Sequence, residues 1–153
     1  MDDPRLPKTL LTRFDYLHSV GFLLTSVCMN TNDEKVIKRY LENGGNDIYC
    51  DLVVPKKITI DTMYESKSII AFRHSKPLYE YHFVVVPVEH IFDLSDPKCE
   101  KVSGEIFRVI RQLMQQMDFQ KTGAKIEINN GPFQTSKHLH FHVYGGKIHT
   151  NLV

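Results

Sequence analysis

Residues 137–146, KHLHFHVYGG, place His138, His140 and His142 at every second position, with Leu139 and Phe141 between them. In an extended chain, side chains two residues apart share one face, about 6.6–6.8 Å from one to the next. The histidines then crowd one side, and Leu139, Phe141 and Val143 take the other. A polar, solvated strand face would have the same alternation. Imidazole is also a common ligand of zinc and copper, but three histidines along a straight strand splay too far to share one tetrahedral ion. The third reading is phosphate chemistry. Neighbouring imidazoles resist being charged together, so one stays neutral while a cationic neighbour holds an anionic phosphoryl group, and their titration is coupled. A neutral imidazole nitrogen can attack phosphorus and form a covalent intermediate that water hydrolyses.

The chain that must position these groups has 153 residues, enough for one domain with a real core. It carries 19 Lys+Arg against 18 Asp+Glu, a balance that gives no strong nucleic-acid signal. Cys28, Cys50 and Cys99 are odd in number and form no CxxC pair, so neither a disulfide framework nor a cysteine-built zinc site is indicated. A reducing, cytoplasmic setting follows. Asp2, Asp3, Arg13 and Asp15 break any secretion-signal pattern, and the apolar run from Val20 to Leu24 is too short for a membrane.

Leu10, Phe14, Leu17, Leu24 and Val27 predict a helix around 8–28. Val36, Ile37, Tyr40 and Leu41 predict another around 33–42, ended by Asn43-Gly44-Gly45. A boundary is expected at 46: residues 1–46 as a helical N-terminal extension, 47–153 as the main domain. Strands are expected at Ile48–Val54, Ile58–Ile60, Ser68–Phe72, Tyr81–Val86, Lys125–Ile128 and His138–Tyr144, the last ended by Gly145-Gly146. Val102, Ile106, Val109, Ile110, Leu113 and Met117 predict one long helix, about 98–118. The fold class is α+β, an antiparallel sheet of about five strands with one long helix.

HLHFHVY resembles the histidine triad motif of the HIT superfamily of nucleotide hydrolases and transferases. The likeness extends to YHFVVVPVEHI at 81–91, DIYCDLVV at 47–54, IIAFRHSKP at 69–77 and INNGPFQTS at 128–136. It covers about 47–146 and is nearest the Hint branch, the nucleoside phosphoramidases. The resemblance implies a HIT-like fold whose sheet becomes ten-stranded across a homodimer, with the long helix near the junction. It implies His140 as the nucleophile that becomes nucleotidylated, His142 on the phosphate oxygens, His138 orienting the nucleophile, and His90 completing the cluster. It also implies that Gln134 and Thr135 contact phosphate and leaving group, that Asn129 lies near the ribose, and that Ile48, Tyr49, Leu52 and Phe72 hold the base. The substrate expected from it is a purine nucleotide, an AMP or GMP derivative.

Without the resemblance, His90 reads as a loop histidine, His82 as a structural strand residue, and Ile48, Tyr49, Leu52 and Phe72 as core. His18, His74 and His149 carry no signal of their own. The chain departs from the Hint pattern in three places. His74 stands where an acidic residue binds the ribose hydroxyls, and an imidazole does not replace two carboxylate acceptors. The loop between Asn129 and Gln134 is shorter. Asp47 stands where many relatives have the first of two cysteines, which weakens the zinc site some of them carry. No cofactor is expected, with zinc as the possible exception. The expected activity is hydrolysis of a P–N bond through a nucleotidyl-histidine. A dinucleoside polyphosphate or capped-nucleotide hydrolase is the alternative enzyme, and a nucleotide-binding adaptor using residues 1–46 is the alternative of another class.

Overall fold

The computed structural model describes residues 31–148 except Lys76 and Leu78. The helix expected around 8–28 lies outside these residues, as do Cys28, His18 and His149.

Helix α1 spans Thr31–Glu42, with Asp33 and Glu34 in its first turn and Arg39 in its last, each favourable for the helix dipole. Gly44 stops it with φ +81, a conformation open to glycine. Ile37 and Leu41 point into the protein and are buried with Ile48, Tyr49, Leu52 and Val53.

A five-stranded antiparallel sheet follows, in the order β1-β2-β3-β5-β4. The strands are β1 (Asp61–Glu65), β2 (Ile69–Arg73), β3 (Tyr79–Pro87), β4 (Ala124–Ile128) and β5 (Phe141–Ile148). Helix α2, Cys99–Gln116, lies on one face through Val102, Ile106, Val109, Ile110 and Leu113. It packs on Ile69, Ala71, Phe83, Val85, Phe141 and Val143. The other face presents Ile70, Phe72, Val84 and Val86 to α1 and to the segment around Tyr49. The period of two along each strand thus builds two cores on one sheet.

Three expectations are corrected. Ile48–Val54 is not a strand but a single helical turn, wide at Tyr49–Val53, with Val54 N–H donating to Tyr49 O at 2.8 Å. Its buried residues are Ile48, Tyr49, Leu52 and Val53, with Cys50 and Asp51 between them. That spacing is helical, and Asp47 starts the turn by accepting the Cys50 amide at 3.0 Å, as an N-cap does. Ile58–Ile60 does not pair with β2. The Thr59 amide is taken by Asp33 of α1 at 3.1 Å, and pairing begins at Asp61, opposite Arg73. Gly145-Gly146 does not end the last strand, which runs on to Ile148. Gly145 is a packing residue: a Cβ there would fall 2.2 Å from the ring of Phe119, in the short helix α3, Phe119–Thr122.

Candidate active site

β5 lies between β3 and β4, with His142 opposite Val84 on one side and Glu127 on the other. His138 and His140 precede the paired strand. They are held extended by loops: Lys137 N–H donates to Asn46 O and Leu139 N–H to Ile91 O, both at 2.7 Å. The alternation read in the sequence therefore holds, with Leu139, Phe141 and Val143 in the α2 core and the three histidines on the opposite face. All three are buried.

Nδ1 of His140 lies 2.7 Å from the carbonyl oxygen of His138. A carbonyl only accepts, so Nδ1 carries the proton and, in the neutral ring, Nε2 keeps its lone pair. Burial pushes the basicity of His140 down, although the bond to the carbonyl works in the other direction. The ring of Tyr49 stands 5.2 Å from that of His140. The rings of His140 and His142 meet edge to face at 5.1 Å.

His138 and His90 form a second group with Asp47 and Cys50. Nε2 of His138 donates to Pro87 O at 2.9 Å, and its Nδ1 lies 3.2 Å from Asp47 Oδ2. The same oxygen takes Nδ1 of His90, which is half-exposed, at 2.6 Å. Burial alone would raise the Asp47 carboxyl. The hydrogen bonds from His138 and the Cys50 amide outweigh it and hold the group well below the usual carboxylate range. Cys50 Sγ lies 3.4 Å from His138 Nδ1, and its thiol is pushed up to about 12 by burial and by Asp47. One ligand atom from each of Asp47, Cys50, His90 and His138 falls within 4.8 Å of the others. Carboxylate, thiol and two imidazoles form a donor set that fits a zinc-type cation, which would displace the thiol proton.

On the other side of His140, His142 Nδ1 lies 2.9 Å from His82 Nε2. His74 stacks on His82 with ring centroids 3.9 Å apart and planes 11° apart. His82, read as a structural strand residue, is thus in direct contact with the triad. Its position in the period of β3, on the histidine face, was the available signal. His74 is buried and turned to this stack. Gln134 donates from Nε2 to Phe92 O at 2.7 Å, and its buried Oε1 has no partner among the described residues. Thr135 and Asn129 are half-buried in the flanking loops. Ile48, Tyr49, Leu52 and Phe72 are brought together, sealed within the core on the histidine face. A cavity of about 280 Å³ opens nearby, lined by Val53, Lys56, Ile58, Ile60, Thr62 and Ile70, and it borders none of the histidines.

A family profile described as the HIT domain matches residues 55–149. A HIT-like protein of Rickettsia prowazekii is 30% identical over 100 residues, covering 62% of this chain and 83% of its own. The bifunctional adenosine 5′-phosphosulfate phosphorylase/adenylylsulfatase of Arabidopsis thaliana is 26% identical over 100 residues, covering 63% of this chain and 68% of its own. Among solved structures, a histidine triad protein from Clostridium difficile superposes with a TM-score of 0.60 at 31% identity, covering 70% of this chain and 96% of that one.

Proposed function

This chain belongs to the HIT domain family, and from that premise we propose that it is a nucleotide hydrolase which passes a purine nucleotidyl group to His140 and then to water. The observation that carries the reading is the bond from His140 Nδ1 to the His138 carbonyl. It fixes the proton on the far nitrogen and leaves the Nε2 lone pair for phosphorus. In the first step an Nε2–P bond forms and the substrate P–N bond breaks. The departing nitrogen leaves as an amine, its proton coming from water by way of the Thr135 hydroxyl. The nucleotidylated ring is cationic, and its Nδ1–H bond to the carbonyl strengthens with the charge. Water then attacks phosphorus and gives its proton to the hydroxide left by the first step; the Nε2–P bond breaks with its electron pair returning to Nε2, and the nucleoside monophosphate departs. Covalent transfer of this kind divides one hard displacement into two easier ones.

The step needs no cofactor. A cation held by Asp47, Cys50, His90 and His138 would serve as a clamp on His138, the residue whose carbonyl orients the nucleophile, and would leave Nε2 of His140 untouched. The relative named for adenosine 5′-phosphosulfate chemistry supports an adenylyl group as the part transferred. It makes a sulfate leaving group a second candidate beside an amine. We place the enzyme in the cytoplasm, as a homodimer.

The test is release of AMP from adenosine 5′-phosphoramidate, with adenosine 5′-phosphosulfate and a dinucleoside polyphosphate measured in parallel. Wild type is expected to turn over the phosphoramidate and to yield an acid-quenched nucleotidyl-protein. His140→Ala and His140→Asn, both folded, are expected to lose about a thousandfold or more in kcat. A His140→Ala protein with wild-type rate would overturn the mechanism. A faster rate on the polyphosphate would move the assignment to the alternative hydrolase, and binding without turnover would favour the adaptor.

A further inference from the structure

The HIT profile begins at residue 55, so α1 and the turn that starts at Asp47 stand before it. One side chain of α1 nevertheless reaches the site. The Tyr40 hydroxyl lies 2.6 Å from Asp51 Oδ2, and the Asp47 amide nitrogen lies 2.8 Å from the same hydroxyl. A phenol near neutral pH has one proton to give and lone pairs to accept with. A carboxylate only accepts, and an amide N–H only donates. The Tyr40 proton therefore goes to Asp51, and the Asp47 N–H donates to the phenol oxygen. The hydroxyl binds the helical turn at two places, its first residue and a residue within it, and so fixes both its position and its pitch.

The ring arrives there because Gly45 lets it pass. A Cβ at Gly45 would fall 2.2 Å from Tyr40 Cζ. Gly45 is not among the glycines with positive φ, so its backbone conformation is open to alanine, and the close approach of the ring is what requires glycine.

Residues 46 and 47 in turn hold His138 from two sides. Asn46 O takes the amide of Lys137 at 2.7 Å, and Asp47 Oδ2 lies 3.2 Å from His138 Nδ1. The same carboxylate oxygen takes His90 Nδ1 at 2.6 Å. The carbonyl of His138 then fixes the proton of His140. We infer that Tyr40 is a positioning residue of the site: its hydroxyl seats Asp47, and through Asp47 it sets His138 and the nucleophile His140. Helix α1 is then a working part of the site. Without the hydroxyl the Asp47 amide loses its acceptor and Asp51 loses its donor. The carboxylate that holds two imidazoles is left on a turn free to shift.

The inference rests on the proposed nucleotidyl transfer for its effect on rate, but the histidine rings report it without turnover. The experiment is kcat and KM on adenosine 5′-phosphoramidate, with ¹⁵N NMR of the histidine rings, all in the full chain. The proteins are wild type, Tyr40→Phe, Asp47→Asn, the double variant and Gly45→Ala. Tyr40→Phe keeps the ring over Gly45 and removes only the oxygen. It should lower kcat by about three- to tenfold and leave KM within about twofold, as loss of a group that orients a reactive side chain does. The ring signals of His90 and His138 should move, while those of His82, which Asp47 does not touch, should stay. In the double variant Tyr40→Phe should add less than about twofold to the loss from Asp47→Asn, because the hydroxyl acts through that carboxylate. A merely structural role would multiply the two losses. Gly45→Ala displaces the ring and should reproduce the loss in kcat and the shifts at His90 and His138. A folded Tyr40→Phe with wild-type kcat overturns the inference, as do multiplied losses in the double variant. If Tyr40→Phe does not fold, Gly45→Ala decides by the same readings. If wild type shows no turnover, the proposed reaction fails and the ring signals decide alone: His138 shifted in Tyr40→Phe upholds the role of Tyr40, and His138 unmoved overturns it.

Discussion

At the scale of single residues, the site is an arrangement of protons enforced by acceptors and donors. His138, His140 and His142 were legible in the sequence because their spacing is that of one strand face, and the roles proposed for them are those the resemblance implies. The contacts that set their tautomers were less visible. The acceptor for His140 is a backbone carbonyl, which no residue type announces, and the partner of His142 lies on another strand, sixty positions away. Asp47 was read only as a departure from a cysteine, yet it binds two histidines through one oxygen. Burial of neutral histidines has a consequence for stability. The folded values of His82 and His142 lie near 2 and 3, against 6.5 for an unhindered ring. Below pH 6.5 the unfolded chain binds protons that the fold refuses, so this stability is whole above 6.5 and is lost as pH falls. Each of the two should cost about 1.4 kcal/mol between about pH 8 and about pH 5.5, with His140 adding in the same sense. Urea unfolding at these two pH values should show a midpoint markedly lower in acid. An unchanged midpoint would mean that the rings are already charged or solvated in the fold. Asp47, held low, works in the same direction at still lower pH.

At the scale of elements, the sheet and α2 were legible because their periods are unambiguous. The long helix expected at about 98–118 is α2, Cys99–Gln116, and all five strands begin within three residues of an expected start, although β1 shares no residue with the stretch expected for it. The segment 48–54 was misread because β-formers dominate it. Its apolar pairs, 48–49 and 52–53, carry helical spacing over a stretch too short to show a period. The start of β1 was hidden because a side chain of α1, not a strand, takes the Thr59 amide. α1 itself is bound into the site: Ile37 and Leu41 share a core with Tyr49, which touches His140. The boundary expected at residue 46 therefore divides one hydrophobic cluster. Ile37→Ala should cost about 2–5 kcal/mol, as a large-to-small change in a sealed core does. Val36→Ala, one position along and exposed, should stay within about 0.5 kcal/mol. Denaturant melts of the two variants check this, and equal losses would show that α1 does not dock as described.

At the scale of the whole molecule, β4 is an edge strand, and unpaired edges invite a partner. Ile126 is 41% exposed on it, opposite Val143, and Phe107 of α2 is 57% exposed beside Phe141. These apolar groups fall on the α2 side of the same margin, which favours the proposed homodimer over a free edge. Light scattering should give twice the chain mass, and Ile126→Lys with Phe107→Glu should halve it. A wild-type monomer would remove the dimer from the proposal. No helix among the described residues is long and apolar enough to cross a membrane. The strand order has a last effect, on the timing of assembly. β5 is synthesised after every other described strand, yet it belongs between β3 and β4, which do not touch without it. Without β5 the sheet is three joined strands, β1-β2-β3, with an open flank on β3, and a separate β4. The segment that closes this gap carries His142, and His140 immediately precedes it. Closing the sheet therefore also completes the histidine face, because the strand that fills the gap is the one on which that face is built.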